Sequence, residues 1–331
     1  MKIAEVIDLL EQLAPPLMQE DYDNSQLICG DANDDVTGAL FALDCIELVL
    51  DEAIEKGCNL IVAHHPIVFT GLKSLTGETY VERIVIKAIK SNISIYAIHT
   101  NLDNVFDGVN QKFAQKLDLI NTKILAPTKG QLCKLATFVP TNYLEQVKTA
   151  LFKSGAGQIG QYDHCSFTVK GTGTFRASKG SNPFVGKLEE DHLEEEIKLE
   201  VIFSEHLTSE VIRSLIEAHP YEEVAYDLIR LANTHPQIGS GMIGHLASPM
   251  NATDFLNHVA KRMKTQVIRH TELLDRPINR VAICGGSGHF LLSTAIAKRA
   301  DVFISSDFKY HNFFDADKKI VIMDIGHFES E

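Results

Sequence analysis

The sequence predicts an α/β protein built from one domain with a mostly parallel sheet, interrupted by a second, inserted domain. Three observations point there. The first 125 residues alternate short β-branched apolar runs with helical stretches, which is how parallel strands with crossover helices read. Near Ala126-Pro127 the order changes to strand, helix, strand, strand, helix, strand, and the alternation returns from about Thr253. Residue types suited to binding metal occur in both outer segments, so residues 1–126 and 244–331 are expected to form one discontinuous domain around an insert at 127–243.

Taken in order, Met1-Lys2-Ile3-Ala4-Glu5-Val6-Ile7-Asp8 carries acids inside an apolar pattern and predicts an amphipathic helix in place of a signal peptide. A strand follows at Ala39–Leu43, then a helix from Ile46 to Lys56 closed by Gly57, then the run Asn59–Ala63. A helix is expected from Tyr80 to Lys90, a strand at Ser94–Ile98 and a helix from Val109 to Leu117. In the insert the expected strands are Leu132–Val139, Cys165–Gly173, Ile197–Phe203 and Val224–Ile229, with helices at Tyr143–Phe152 and Ser209–Ala218. That order, βαββαβ, is the ferredoxin-like pattern and closes on itself as a domain. The stretch Ser178–Glu196, with Gly180, Gly186 and a run of acids, reads as a loop. The last segment predicts a helix at Phe255–Met263, strands at Gln266–Arg269 and Val281–Cys284, a helix at Leu291–Arg299, and strands at Asp301–Ser305 and Lys319–Asp324.

A chain of 331 residues, 45% of them hydrophobic, can bury two ordinary cores. Its net charge of −13 argues against a general nucleic-acid surface, which needs a basic stripe, and leaves room for cations at carboxylate sites. No stretch reaches membrane-spanning length. The six cysteines, Cys29, Cys45, Cys58, Cys133, Cys165 and Cys284, form no C-x-x-C pair; reduced thiols and a cytoplasmic location are expected.

Three apolar strands end at metal-binding side chains. Asn59-Leu60-Ile61-Val62-Ala63 runs into His64-His65-Pro66, Ser94–Ile98 into His99-Thr100-Asn101-Leu102-Asp103, and Lys319–Asp324 into Ile325-Gly326-His327-Phe328-Glu329-Ser330-Glu331. A lone histidine after a strand is ordinarily a solvated loop residue. His64, His65, Asp103, His327 and Glu331 together favour a metal site. Neighbouring side chains on a strand point to opposite faces, so His64 and His65 serve two adjacent ions more readily than they chelate one. His327 and Glu331, four apart, share a face if a helix starts at Gly326. Asp103 could bridge two ions, as carboxylates do in two-metal hydrolytic sites. Nitrogen and oxygen ligands without thiolate suit Zn, Fe or Mn equally. Cys284-Gly285-Gly286-Ser287-Gly288-His289 is a glycine-rich strand end that serves either as a tight packed turn or as an anion cradle. Asp307-Phe308-Lys309-Tyr310-His311 places further polar groups behind the ligands.

With these motifs in this order, the whole chain resembles the dinuclear-metal family of GTP cyclohydrolase I type 2 homologues, also called NGG-interacting-factor-three-like. Matched residue by residue, the resemblance implies His64, His65, Asp103, His327 and Glu331 as ligands of two divalent ions, with His99 beside them as a proton-transfer group. It implies a PII-like or CutA-like character for the insert, marked by His219-Pro220-Tyr221-Glu222-Glu223, and a toroidal homohexamer with the metal sites facing inward. Two positions depart from the family pattern. Tyr22-Asp23-Asn24-Ser25-Gln26-Leu27 replaces a Trp-Asp-Asn-x-Gly-Leu pattern, and Ser305-Ser306-Asp307 replaces Thr-Gly-Asp. The family pattern also continues past the position of Glu331. The implied activity is metal-dependent hydrolysis, with purine ring opening and formate release as the specific form and a nucleotide as substrate. The alternative is a metal-binding hexameric scaffold or regulator whose insert senses a ligand.

Overall fold

A computed structural model describes residues 1–331, and the chain divides into two compact units, Met1–Pro127 with Gln237–Glu331, and Thr128–Pro236. The first unit contains two separate sheets where the sequence suggested one mostly parallel sheet. In the four-stranded sheet the order is Leu27–Cys29, Ser94–Ala97, Leu60–Ala63, Ala39–Ala42; the last three run parallel and the first is antiparallel. In the six-stranded sheet, Ile278–Ser287, Val302–Ser306 and Val321–Asp324 form a parallel core, flanked by the antiparallel strands Arg269–His270 and Thr234–Met250, with Ile120–Lys129 at the edge. Strand periodicity reports burial and leaves sheet membership open, so letters alone merge the two sheets.

Burial on both faces explains why the central strands read as unbroken apolar runs. Ile61, Ala63 and Ile95 pack with Leu50 and Ala53 of the helix Glu47–Lys56 and with Ile84 and Ala88 of the helix Tyr80–Lys90. Leu60, Val62 and Tyr96 point the other way, onto Ile3, Ala14 and Met18. The helix Glu47–Lys56 ends where Gly57 takes a left-handed φ of 68°. Thr79 starts the helix Tyr80–Lys90, its side chain accepting from the Glu82 N–H. These boundaries put His64, His65 and His99 just past the carboxyl ends of parallel strands, where ligands gather in α/β sheets.

The second unit is a four-stranded antiparallel sheet in the order Phe167–Arg176, Asp191–Ser204, Leu132–Pro140, Tyr226–Arg230. The helices Leu144–Lys153 and Thr208–Ala218 bury Val147, Leu151, Val211 and Leu215 against Leu135, Leu199 and Val201. In chain order this is βαββαβ. The acid-rich part of the expected loop Ser178–Glu196 is in fact strand from Asp191 onward. Its acids sit on an alternating pattern that pairs with Phe167–Arg176, so charge outweighed period in the reading of the letters. The expected strand Gln266–Arg269 shrinks to Arg269–His270. No helix of the protein is long and apolar enough to cross a membrane.

Candidate metal centre

Five strands of the first unit deliver the site. His64 and His65 follow Leu60–Ala63, His99 follows Ser94–Ala97, and Asp44 follows Ala39–Ala42. Asp307 follows Val302–Ser306, and His327 and Glu331 follow Val321–Asp324. Asp103 arrives on the short helix Thr100–Asn104, which the sequence reading did not anticipate. Buried asparagines pin that helix: Asn101 donates to Ala14 O at 2.8 Å, and Asn104 donates to Met18 O at 2.9 Å. Asn110 ties it to the other sheet, donating to Asp103 O and accepting from Gly285 N–H, both at 3.0 Å.

All four imidazoles are anchored through Nδ1. His64 Nδ1 lies 2.8 Å from Ile98 O, His65 Nδ1 2.8 Å from Asp44 Oδ1, His99 Nδ1 2.7 Å from Asp23 Oδ1, and His327 Nδ1 2.6 Å from Asp307 Oδ2. A carbonyl or carboxylate oxygen accepts, so each Nδ1 carries the proton and each neutral ring presents a bare Nε2. This is how histidine ligands are ordinarily held, tautomer and orientation being set from behind.

The bare atoms converge. His65 Nε2 and His327 Nε2 are 3.3 Å apart and lie 2.9 and 3.0 Å from Glu331 Oε2. His64 Nε2 stands 3.7 Å from Asp103 Oδ1 and 3.8 Å from Glu331 Oε1. Both His64 Nε2 and Asp103 Oδ1 are buried without a hydrogen-bond partner. Buried lone pairs facing one another repel unless a positive charge lies among them. The titration preferences carry the same message. Hydrogen bonding to Glu331 outweighs burial and lifts His327 to about 9, while burial lifts Asp103 to about 6. Burial alone would raise Glu331, but the three imidazoles hold it well below the usual carboxylate range. The donor set fits metal cations: His65, His327 and Glu331 form one group able to hold an ion, His64, Asp103 and Glu331 a second, and His64, His65 and His99 a third.

The geometry bears on two sequence expectations. The carboxylate common to two of the groups is Glu331, with Oε2 toward one and Oε1 toward the other, whereas Asp103 belongs to one. Of the two readings of the glycine-rich strand end, the packed turn is the one that Gly285 and Gly286 follow. Gly285 N–H is taken by Asn110 and Gly286 N–H by Ser330 Oγ at 3.0 Å, which leaves neither free for an anion. Gly286 has a φ of +60°, and a Cβ there would meet Glu331 Oε1 at 2.2 Å, so glycine is what lets Glu331 enter the centre. Asp307, expected behind the ligands, backs His327. Asp44 and Asp23 were missed as partners, because aspartates in short connections look like ordinary turn residues. The available signal was position, since Asp44 follows a parallel strand at nearly the interval at which His64 and His65 follow theirs.

Fold and site together define an α/β protein with a partly buried histidine–carboxylate cluster able to hold metal. The family model for Duf34/NIF3 (NGG1p interacting factor 3) matches residues 1–331, and the chain belongs to that family. A Halalkalibacterium halodurans protein named GTP cyclohydrolase 1 type 2 homolog is 42% identical over 332 residues, covering 99% of this chain and 89% of that protein. Its namesake in Bacillus subtilis is 38% identical, covering 98% and 87%. Among solved structures, a Bacillus cereus protein related to NIF3 superposes with a TM-score of 0.89 at 38% identity, covering 100% of this chain and 89% of that one.

Proposed function

We propose that this protein is a metal-dependent hydrolase with a dinuclear centre, one ion held by His65, His327 and Glu331 and the other by His64, Asp103 and Glu331. The observation carrying this reading is the convergence of acceptor-only atoms from two sheets on a centre that no side-chain donor neutralises. Two divalent ions (Zn, Fe or Mn) supply Lewis acidity there and lower the pKa of water. His99, its ring 5.2 Å from that of His64, takes and returns a proton at Nε2. Tyr22 and Phe69, exposed at 64% and 48%, pack at 6.2 Å, and Phe69 meets the His99 ring edge-on at 6.3 Å. They offer an aromatic rim for a planar substrate. The name printed for the relatives, GTP cyclohydrolase 1 type 2 homolog, points to hydrolytic opening of a purine ring with release of formate. A cytoplasmic homohexamer, without membrane or nucleic-acid partners, is part of this proposal. Elemental analysis of purified protein, followed by a hydrolysis screen of GTP, other nucleotides and phosphoesters, tests it. Fewer than one ion per chain, or no turnover with two ions bound, would remove it.

A regulatory scaffold is the second reading, favoured by a cavity of about 800 Å³ in the unit Thr128–Pro236. Phe138, Phe184 and Tyr221 line it with Glu196 and Lys198, and the Tyr221 hydroxyl is buried without a partner. As a PII-like insert this unit would sense a small ligand. Retention of both metals after its replacement by a short linker supports the division at 127–243.

A further inference from the structure

The Asp23 carboxylate is more completely engaged than any other group near the centre. Its side chain is fully buried. Oδ1 accepts from Asn24 N–H at 2.7 Å and lies 2.7 Å from His99 Nδ1. Oδ2 accepts from Ser25 Oγ at 2.9 Å, from Thr100 N–H at 3.0 Å and from Thr100 Oγ1 at 2.5 Å. With two contacts on one oxygen and three on the other, neither has room for a proton, and burial is outweighed by hydrogen bonds from His99 and Thr100 that keep the group ionised. The backbone is fixed as well. His99 N–H donates to Ser25 Oγ at 3.1 Å and to Asn101 Oδ1 at 2.9 Å, so ring and main chain of His99 are held by the segment 23–25 and the start of the next helix.

We infer that Asp23 is a positioning residue that locks His99 in the tautomer with the proton on Nδ1, so that a bare Nε2 faces the metal pocket as proton acceptor. This rests on the hydrolase reading for its consequence, but not for its test. An ionised Asp23 accepts and never donates, so a proton on His99 Nε2 with none on Nδ1 would leave two acceptors facing each other at 2.7 Å in a buried site. The partners also dictate what Asp23→Asn does. Three donors face Oδ2 and one donor besides the His99 ring, the Asn24 N–H, faces Oδ1, so the amide oxygen of the variant stays at Oδ2 and its NH₂ takes the position facing His99 at the cost of the Asn24 N–H bond. That group donates to Nδ1 and drives the ring proton to Nε2, turning the acceptor into a donor aimed at the centre. Shape is kept and direction is reversed.

The test is ring-¹⁵N solid-state NMR on histidine-labelled, zinc-loaded protein, with the His99 signals assigned by difference from His99→Ala. A protonated Nδ1 in the parent and a protonated Nε2 in Asp23→Asn are expected, both with metal content unchanged. A protonated Nε2 in the parent, or an unchanged tautomer in Asp23→Asn, overturns the inference whatever the activity. Turnover of bis(p-nitrophenyl) phosphate by the manganese-loaded protein supplies the second arm. Asp23→Asn should fall by about 10²–10⁴-fold, as for loss of a general base, and the double variant with His99→Ala should be no slower than His99→Ala alone. A double variant that loses a further tenfold would mean that Asp23 acts other than through His99, and also overturns it. Should the tautomer switch while His99→Ala and Asp23→Asn both keep full turnover, the positioning role stands and the catalytic role of His99 falls.

Discussion

The unit that carries the candidate metal centre and the unit Thr128–Pro236 each bury or half-bury histidines, and they treat them in opposite ways. In the first, hydrogen bonding to Glu331 raises His65 and His327, and Glu331 and Asp103 raise His64 against the penalty of burial. In the second, burial lowers His206, His219 and His235. For His219 the difference lies in what the second ring nitrogen meets. His219 donates from Nε2 to Phe138 O at 3.0 Å and accepts at Nδ1 from Tyr221 N–H at 3.1 Å, so the neutral ring is fully satisfied. His65 and His327 have acceptors on both sides and are satisfied only by added positive charge. A buried histidine therefore says little until both its nitrogens are accounted for.

That contrast breaks most visibly at Glu331. Removing the carboxylate common to two ligand groups in Glu331→Gln is expected to take metal content from near two ions per chain to near zero, read by elemental analysis. Asp103→Ala should lose one ion and keep the one at His65 and His327. Equal loss in both variants would return the shared role to Asp103. His99→Ala should keep both ions and lose about 10²–10⁴-fold in turnover, the usual contribution of a general acid–base group. Loss of an ion in that variant would make His99 a ligand. Asp307→Ala, which removes the acceptor behind His327 Nδ1, should weaken metal affinity about 10–100-fold without emptying the site. An unchanged affinity in a competition titration with a chelator would show that the ring needs no such anchor.

The sequence makes the candidate ligands legible for a physical reason. Parallel strands buried on both faces are continuous β-branched runs, and a histidine at the end of such a run is conspicuous. Glu331 is reachable from His327 by helical spacing, and the helix His327–Ser330 forms as that spacing requires. Sheet membership is not legible, because Leu60–Ala63 and Val321–Asp324 carry the same apolar signature and belong to different sheets. The oxygen partners are hidden for another reason. Ile98 O is a backbone atom, and Asp23 precedes the antiparallel strand Leu27–Cys29, so only folding brings it to the end of the strand that carries His99. The glycines of Cys284–Gly288 resemble a phosphate turn because both uses need a missing Cβ; the object approaching Gly286 is the Glu331 side chain.

The last and smallest effect concerns stability as a function of pH, and its sign follows from the neutral state of His219. A buried ring whose folded pKa is depressed stabilises the fold above the ordinary imidazole value near 6.5. Below it the unfolded chain takes up a proton that the folded ring refuses, and the stabilisation is lost as the pH falls through the folded-state value. His206, His219 and His235 share this direction, so between pH 7.5 and 5.5 the unit Thr128–Pro236 should open more readily. Hydrogen exchange resolved by peptide, corrected for the intrinsic pH dependence of exchange, reads this locally. Protection should fall in Leu132–Pro140, which carries the Phe138 carbonyl. His219→Gln keeps a donor for that carbonyl and does not titrate, so it should lose some protection at pH 7.5 but show a weaker dependence on pH. It should leave metal content untouched. His219→Ala, which strands both partners, should cost about 1–3 kcal/mol at neutral pH. If His219→Gln shows the same pH dependence as the parent, His219 does not carry the effect. If protection in this unit rises as the pH falls, these rings are not held neutral, and the contrast between the two units fails.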